Sequence, residues 1–166
     1  MKSRFLFLGA VLILATAACT TAPLASVDPL VGAWRGGVQF ESGAFAAVKD
    51  LEFMYAFQTG GTMTESSNYD GSPPVPPAYG VWRRMADGTY ELKYEFYWTK
   101  PPSNFDEIAK GGGWAPGGRG VLTQHITLSV DGNAFTGTLR LESFDSAGKP
   151  TDPPSTAVVK GARIQF

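Results

Sequence analysis

From residue 31 onward, apolar and polar positions alternate along the chain in short runs, and each run ends in residues that favour turns. Leu51, Phe53, Tyr55 and Phe57 share one face of one run. Tyr90, Leu92, Tyr94, Phe96 and Trp98 share a face of another, with Glu91, Lys93 and Glu95 between them. Leu122, Ile126, Leu128 and Val130 alternate in the same way with Thr123, His125, Thr127 and Ser129. A period of two puts successive side chains on opposite faces of an extended strand, a spacing no helix keeps. The pattern predicts an all-β fold of eight strands, over residues 31–40, 48–57, 62–69, 78–85, 89–98, 120–130, 134–144 and 156–166.

The connections between these strands fall into two kinds. Gln58–Gly61, Ala86–Gly88 and Asp131–Asn133 are tight and contain glycine, which reaches positive φ without steric cost. The others, 41–47, 70–77, 99–119 and 145–155, are longer. In an up-and-down meander alternate connections lie at the same end, so the tight turns gather at one end and the long loops at the other. An open eight-stranded meander exposes two edge strands, whereas a closed barrel pairs the first with the last. The expected architecture is therefore an eight-stranded antiparallel up-and-down barrel with a closed floor and a loop-fringed mouth.

Ahead of the strands, Met1–Ala18 has the form of a signal peptide. Lys2 and Arg4 supply the positive start, Phe5–Leu14 an apolar stretch too short for an ordinary spanning helix, and Ala15–Ala18 the small residues of a cleavage site. Cys19, the single cysteine, follows directly. Its setting resembles a bacterial lipobox, in which the thiol is acylated and becomes the first residue of the mature chain. Thr16 stands where leucine is usual, and ordinary cleavage after Ala15-Thr16-Ala17 is the competing reading. With Thr20 rather than aspartate next, a lipidated chain is expected at the outer membrane, facing the periplasm. Without the lipid it would be soluble in the periplasm or secreted. The domain reading is then 1–18 signal peptide, 19–29 lipidated N-terminus and tether, and 30–166 barrel.

Removing residues 1–18 takes away Lys2 and Arg4 and moves the formal charge from −1 to −3, which offers nothing for nucleic acid. A single cysteine allows no internal disulfide, so the core must stabilise the domain unaided.

Gly32-Ala33-Trp34, opening the first strand, resembles the G-x-W motif of the lipocalins and the wider calycin superfamily. That resemblance implies a tryptophan across the barrel floor, with Arg163 near the end of the last strand packed over it. The T-D-Y motif and the C-terminal helix of most lipocalins are absent, so the likeness is to a divergent bacterial member. The five residues Gly32–Gly36 also look like the opening of the haem-binding nitrobindin barrels. Those bind iron through a histidine late in the chain. Here the single histidine, His125, lies on the sixth strand's wetted face, and no cofactor is expected.

A barrel of eight strands either fills its interior with side chains or encloses one small ligand. For the second case, Phe53, Tyr55, Phe96 and Trp98 are expected to point inward in the mouth half. Tyr69 and Tyr79 flank the proline-rich loop that includes Pro73-Pro74-Val75-Pro76-Pro77. In the longest loop, residues 104–110 are expected to form a short helix stopped by Gly111, with Ser103 and Asp106 as a weakened capping box. Beyond it, Trp114 stands in the glycine-rich tract Gly111–Gly118. Trp114 and Phe105 are the ligand contacts of a lid, or else parts of a plain surface loop. Arg83 would balance a ligand carboxylate if it faced inward; an arginine satisfied by backbone carbonyls near the floor is the plainer alternative.

No metal-ligand spacing and no set of acid, base and nucleophile can be named. The reading that results is a binding or carrier barrel for a small hydrophobic ligand, held to the membrane through Cys19. Its alternative is an envelope interaction or inhibitor protein, with a filled barrel and long loops that bind a protein partner.

Overall fold

The computed structural model describes residues 26–70, 75–110 and 113–166. Its strands are β1 (Gly32–Phe40), β2 (Glu52–Phe57), β3 (Thr62–Ser67), β4 (Ala78–Arg84), β5 (Tyr90–Lys100), β6 (Ala115–Leu128), β7 (Ala134–Asp145) and β8 (Ser155–Arg163). One short helix, α1 (Phe105–Ala109), lies between β5 and β6. All eight strands pair antiparallel with their sequence neighbours, and β8 returns to β1 to close the barrel. The closing ladder runs from Trp34 opposite Arg163 to Phe40 opposite Ala157, and the Ile164 N–H donates to the Ala33 carbonyl at 2.9 Å.

The alternation seen in the sequence is the alternation of inside and outside. Phe53, Tyr55 and Phe57 on β2 are buried, as are Tyr90, Leu92 and Tyr94 on β5, while Met54, Lys93 and Glu95 face water. His125 is likewise exposed on the outer wall. At the tight turns Gly60, Gly61, Gly88 and Gly132 all take positive φ.

The floor is built around Trp34, which is fully buried. Its indole Nε1–H donates to the Leu30 carbonyl at 2.9 Å, and the Arg163 guanidinium lies over its ring at 4.3 Å. Arg163 also donates to the carbonyls of Val31 (2.9 Å), Pro29 and Gly132. Cation–π attraction and these hydrogen bonds thus fix one side chain across the seam between the first and last strands. The segment before β1 belongs to this floor. Leu30 is fully buried, and the Asp28 carboxylate accepts from the Leu30 N–H and the Tyr90 hydroxyl, each at 2.8 Å. The tether expected to reach Pro29 is therefore packed structure from Asp28 onward.

The largest departure from expectation is at the β5–β6 hairpin. β5 pairs with β4 only as far as Tyr79–Glu95, and β6 with β7 as far as Gly118–Asp145. The pairing of β5 with β6 continues to Lys100–Ala115, through a bulge at Trp98/Thr99. The tract Gly117-Gly118, expected in the flexible loop, is thus part of a strand. Its glycines serve close approach. A Cβ on Gly117 or Gly118 would lie within 2.8 or 2.7 Å of the Trp98 indole, and one on Gly120 within 2.3 Å of the Phe96 ring. The two rings use that space to lie across β6.

Candidate functional site

Inside the barrel, space is divided by side-chain size. In the floor half, Trp34 packs on Phe135 (ring centroids 5.4 Å apart), and Tyr55 packs on Phe57, Tyr94 and Phe135 (5.8, 6.3 and 6.1 Å). Large rings from several strands fill that half. Towards the mouth the inward residues shrink to Ala78 on β4 and Leu141 on β7, and a cavity of about 290 Å³ opens. It lies at the small end of the roughly 300–1,000 Å³ usual for small-molecule sites.

Its walls are mostly aromatic: Phe40 from β1, Phe53 from β2, Phe96 and Trp98 from β5, with Phe45 and Tyr69 from the mouth loops. Phe96 and Trp98 meet edge to face at 5.8 Å, and Val75 and Pro76 of the proline-rich loop close one side. Tyr69 is fixed at the rim by its hydroxyl, which donates to Asp50 Oδ1 at 2.7 Å.

Of the residues expected to contact ligand, Phe53, Tyr69, Phe96 and Trp98 are brought together on this cavity, and the others are not. Tyr55 points inward but lies in the filled half, 2 % exposed. Tyr79 faces outward, 63 % exposed, because its neighbour Ala78 takes the inward position and successive residues of β4 alternate. Trp114, 41 % exposed, comes just before β6 at the end of the hairpin arm, beyond the cavity wall. Phe105 opens α1, and its side chain lies outside the described part of the structure. The capping of that helix also differs from expectation. Asn104 Oδ1 accepts from the Glu107 N–H, and Glu107 reaches back to the N–H and hydroxyl of Ser103, so Asp106 is not the partner. Arg83 does not face inward but pairs with Glu91 on the outer wall, while Arg84 lies over the Tyr90 ring at 5.9 Å. Cys19 and residues 1–18, expected to be a signal peptide, lie outside the described residues, as do Pro73 and Pro74.

The residue that sequence reasoning missed is Glu65. It lines the cavity, is 6 % exposed, and its Oε1 has no hydrogen-bond partner among the described residues. Burial first, and the nearby Asp70 carboxylate second, push its carboxyl up to about 8. Asp70 also lines the cavity but is better satisfied, accepting from the Ser67 N–H at 2.6 Å and the Ser67 hydroxyl at 2.9 Å. Beside the cavity, the Tyr94 hydroxyl donates to Gln124 Oε1 at 3.2 Å, while Gln124 Nε2 and the Tyr55 hydroxyl are buried without partners. Burial, then the Glu65 charge, raises the Tyr55 phenol further, so it stays neutral. The interior therefore offers a ring-lined hollow with the Glu65 and Asp70 carboxyls on its wall and the unpartnered Tyr55 hydroxyl and Gln124 amide beside it.

A second depression, about 590 Å³, lies on the outer wall among Gly37, Lys49, Glu52 and Lys160. It exists because the exposed Gly37 has no side chain and the β1–β2 ladder ends at Gly37–Glu52. Among the described residues, no three His, Cys, Asp or Glu side chains gather closely enough to hold a metal ion. Compared with known proteins, the chain matches no family model, no curated protein and no solved structure.

Proposed function

We propose that the protein is an exported, lipocalin-like binding or carrier barrel that holds one small, mainly apolar molecule in its mouth cavity. The observation that carries this reading is the cavity itself. A chain with enough large aromatics to fill its barrel leaves about 290 Å³ empty at the open end, walled by Phe53, Phe96 and Trp98. Two of those rings keep their positions only because glycines face them across β6. The lipocalin likeness is supported by the meander closing on itself and by Trp34 and Arg163 meeting on the floor. Attachment to the outer membrane through an acylated Cys19 is supported by the small residues before it and the apolar stretch behind them.

Native mass spectrometry of the protein purified from its host tests the binding reading. The expected result is a co-purified small molecule of defined mass, or a thermal shift with members of a lipophilic library. Trp98→Ala should abolish either signal, and Trp114→Ala should retain it. A ligand-free species that shifts with no compound would refute the reading.

A further inference from the structure

The charge of the cavity narrows what it can hold. Among the described residues that line it, Glu65 and Asp70 are the only acidic side chains, and no lysine, arginine or histidine joins them. A fatty acid or other anion would bring a further acidic group into a low-dielectric space with no cation to meet it. Glu65 is buried, and among the described residues nothing donates a hydrogen bond to its Oε1, which leaves that oxygen open to a donor from a ligand. Around it stand the rings of Phe53, Tyr69, Phe96 and Trp98, whose faces attract cations. An apolar body alone would fill the hollow but leave that oxygen unpaired.

From this juxtaposition we infer that the cavity selects small amphiphilic amines, the ammonium group donating to Glu65 and the hydrocarbon part lying among the aromatic walls. The inference rests on the reading of the cavity as a binding site and adds the charge of its occupant. Besides Asp70, the titratable groups that face Glu65 among the described residues are the phenols of Tyr55, Tyr69 and Tyr94; Glu52, Arg83, Arg84, Lys93 and Glu95 on the neighbouring strands are exposed on the outer wall, so no cation competes inside. In the empty cavity the Glu65 carboxyl is largely protonated at neutral pH. Pairing with an ammonium returns it to the charged form and expels a proton.

Isothermal titration with three matched probes separates the possibilities: 2-phenylethylamine, its neutral counterpart 2-phenylethanol, and the anion 3-phenylpropanoate. The amine is expected to bind at least about tenfold more tightly than the alcohol, with the anion weakest. Glu65→Gln should cost the amine about tenfold or more and leave the alcohol within about twofold. Amine binding at neutral pH should also release a proton, read as a dependence of the heat on the buffer's ionisation enthalpy. That readout needs no variant. An alcohol or carboxylate that binds as well as the amine, an amine affinity unchanged in Glu65→Gln, or amine binding without proton release overturns the inference and leaves the cavity reading standing. No binding by any of the three overturns the inference as well, and the cavity reading is then decided by the native mass and lipophilic-library test.

Discussion

Replacing Glu65 by glutamine keeps the shape of the side chain and removes its proton. In the folded chain the carboxyl titrates near 8, against an ordinary value of 4.5. Because the folded value is the higher one, the folded state holds a proton that the unfolded state has already lost between those limits. Stability is then greatest below about pH 4.5, falls as pH rises, and levels off above about pH 8. Each pH unit in that window costs about 1.4 kcal/mol, so the native chain should lose about 3 kcal/mol between pH 5 and pH 7, and about 5 kcal/mol over the whole range. Glu65→Gln should lack this loss and be the more stable protein at pH 8, with the two nearly equal at pH 4.5. Urea unfolding followed by tryptophan fluorescence at pH 5, 7 and 8.5 measures it. Other groups cancel in the difference between the two proteins. Asp87 and Asp131, both lowered by hydrogen bonds in their turns, favour the fold less as pH falls, the opposite direction, and are present in both. If stability falls equally in the two proteins between pH 5 and 8.5, the Glu65 carboxyl is not held in the desolvated setting described, and the reasoning fails.

Trp34→Ala removes the ring at the centre of the floor and should destabilise the chain by roughly 3–5 kcal/mol, as a large drop in urea midpoint. Gly120→Ala puts a methyl group 2.3 Å from the Phe96 ring. It should drive that ring into the cavity, so bound probe is lost at least about tenfold while far-ultraviolet circular dichroism is unchanged. Cys19→Ala should move the protein from the membrane to the soluble periplasmic fraction, which a fractionation blot reads directly.

The barrel was legible because its strands alternate so regularly and its turns differ so clearly in length. Eight short runs joined by connections alternately tight and long leave little choice of topology, and the closing ladder follows from the need to pair two edges. The site was less legible. In Thr62–Ser67 the period of two places Glu65 on the face of Met63, but Met63 is the strand's single large apolar residue, a thin signal against which a carboxylate reads as solvent-facing. Its inward position comes from pairing across from Tyr55. Gln124 could have been found, since it lies on the same alternating face as Leu122 and Ile126. Tyr79 was placed by proximity to a loop rather than by parity with Ala78. Gly117 and Gly118 read as slack, because a sequence does not show the indole that lies against them.

The route of the chain into the barrel has a consequence for exchange. Asp28 and Leu30 lie against the sealed end, and eight residues separate Cys19 from Asp28, a reach of at most about 30 Å. An acyl chain on Cys19 would therefore hold the protein to the bilayer by its bottom, with the opening turned towards the aqueous compartment. Cargo would then pass to and from partners dissolved in water, and lateral transfer from the lipid beneath would be blocked by the tryptophan floor.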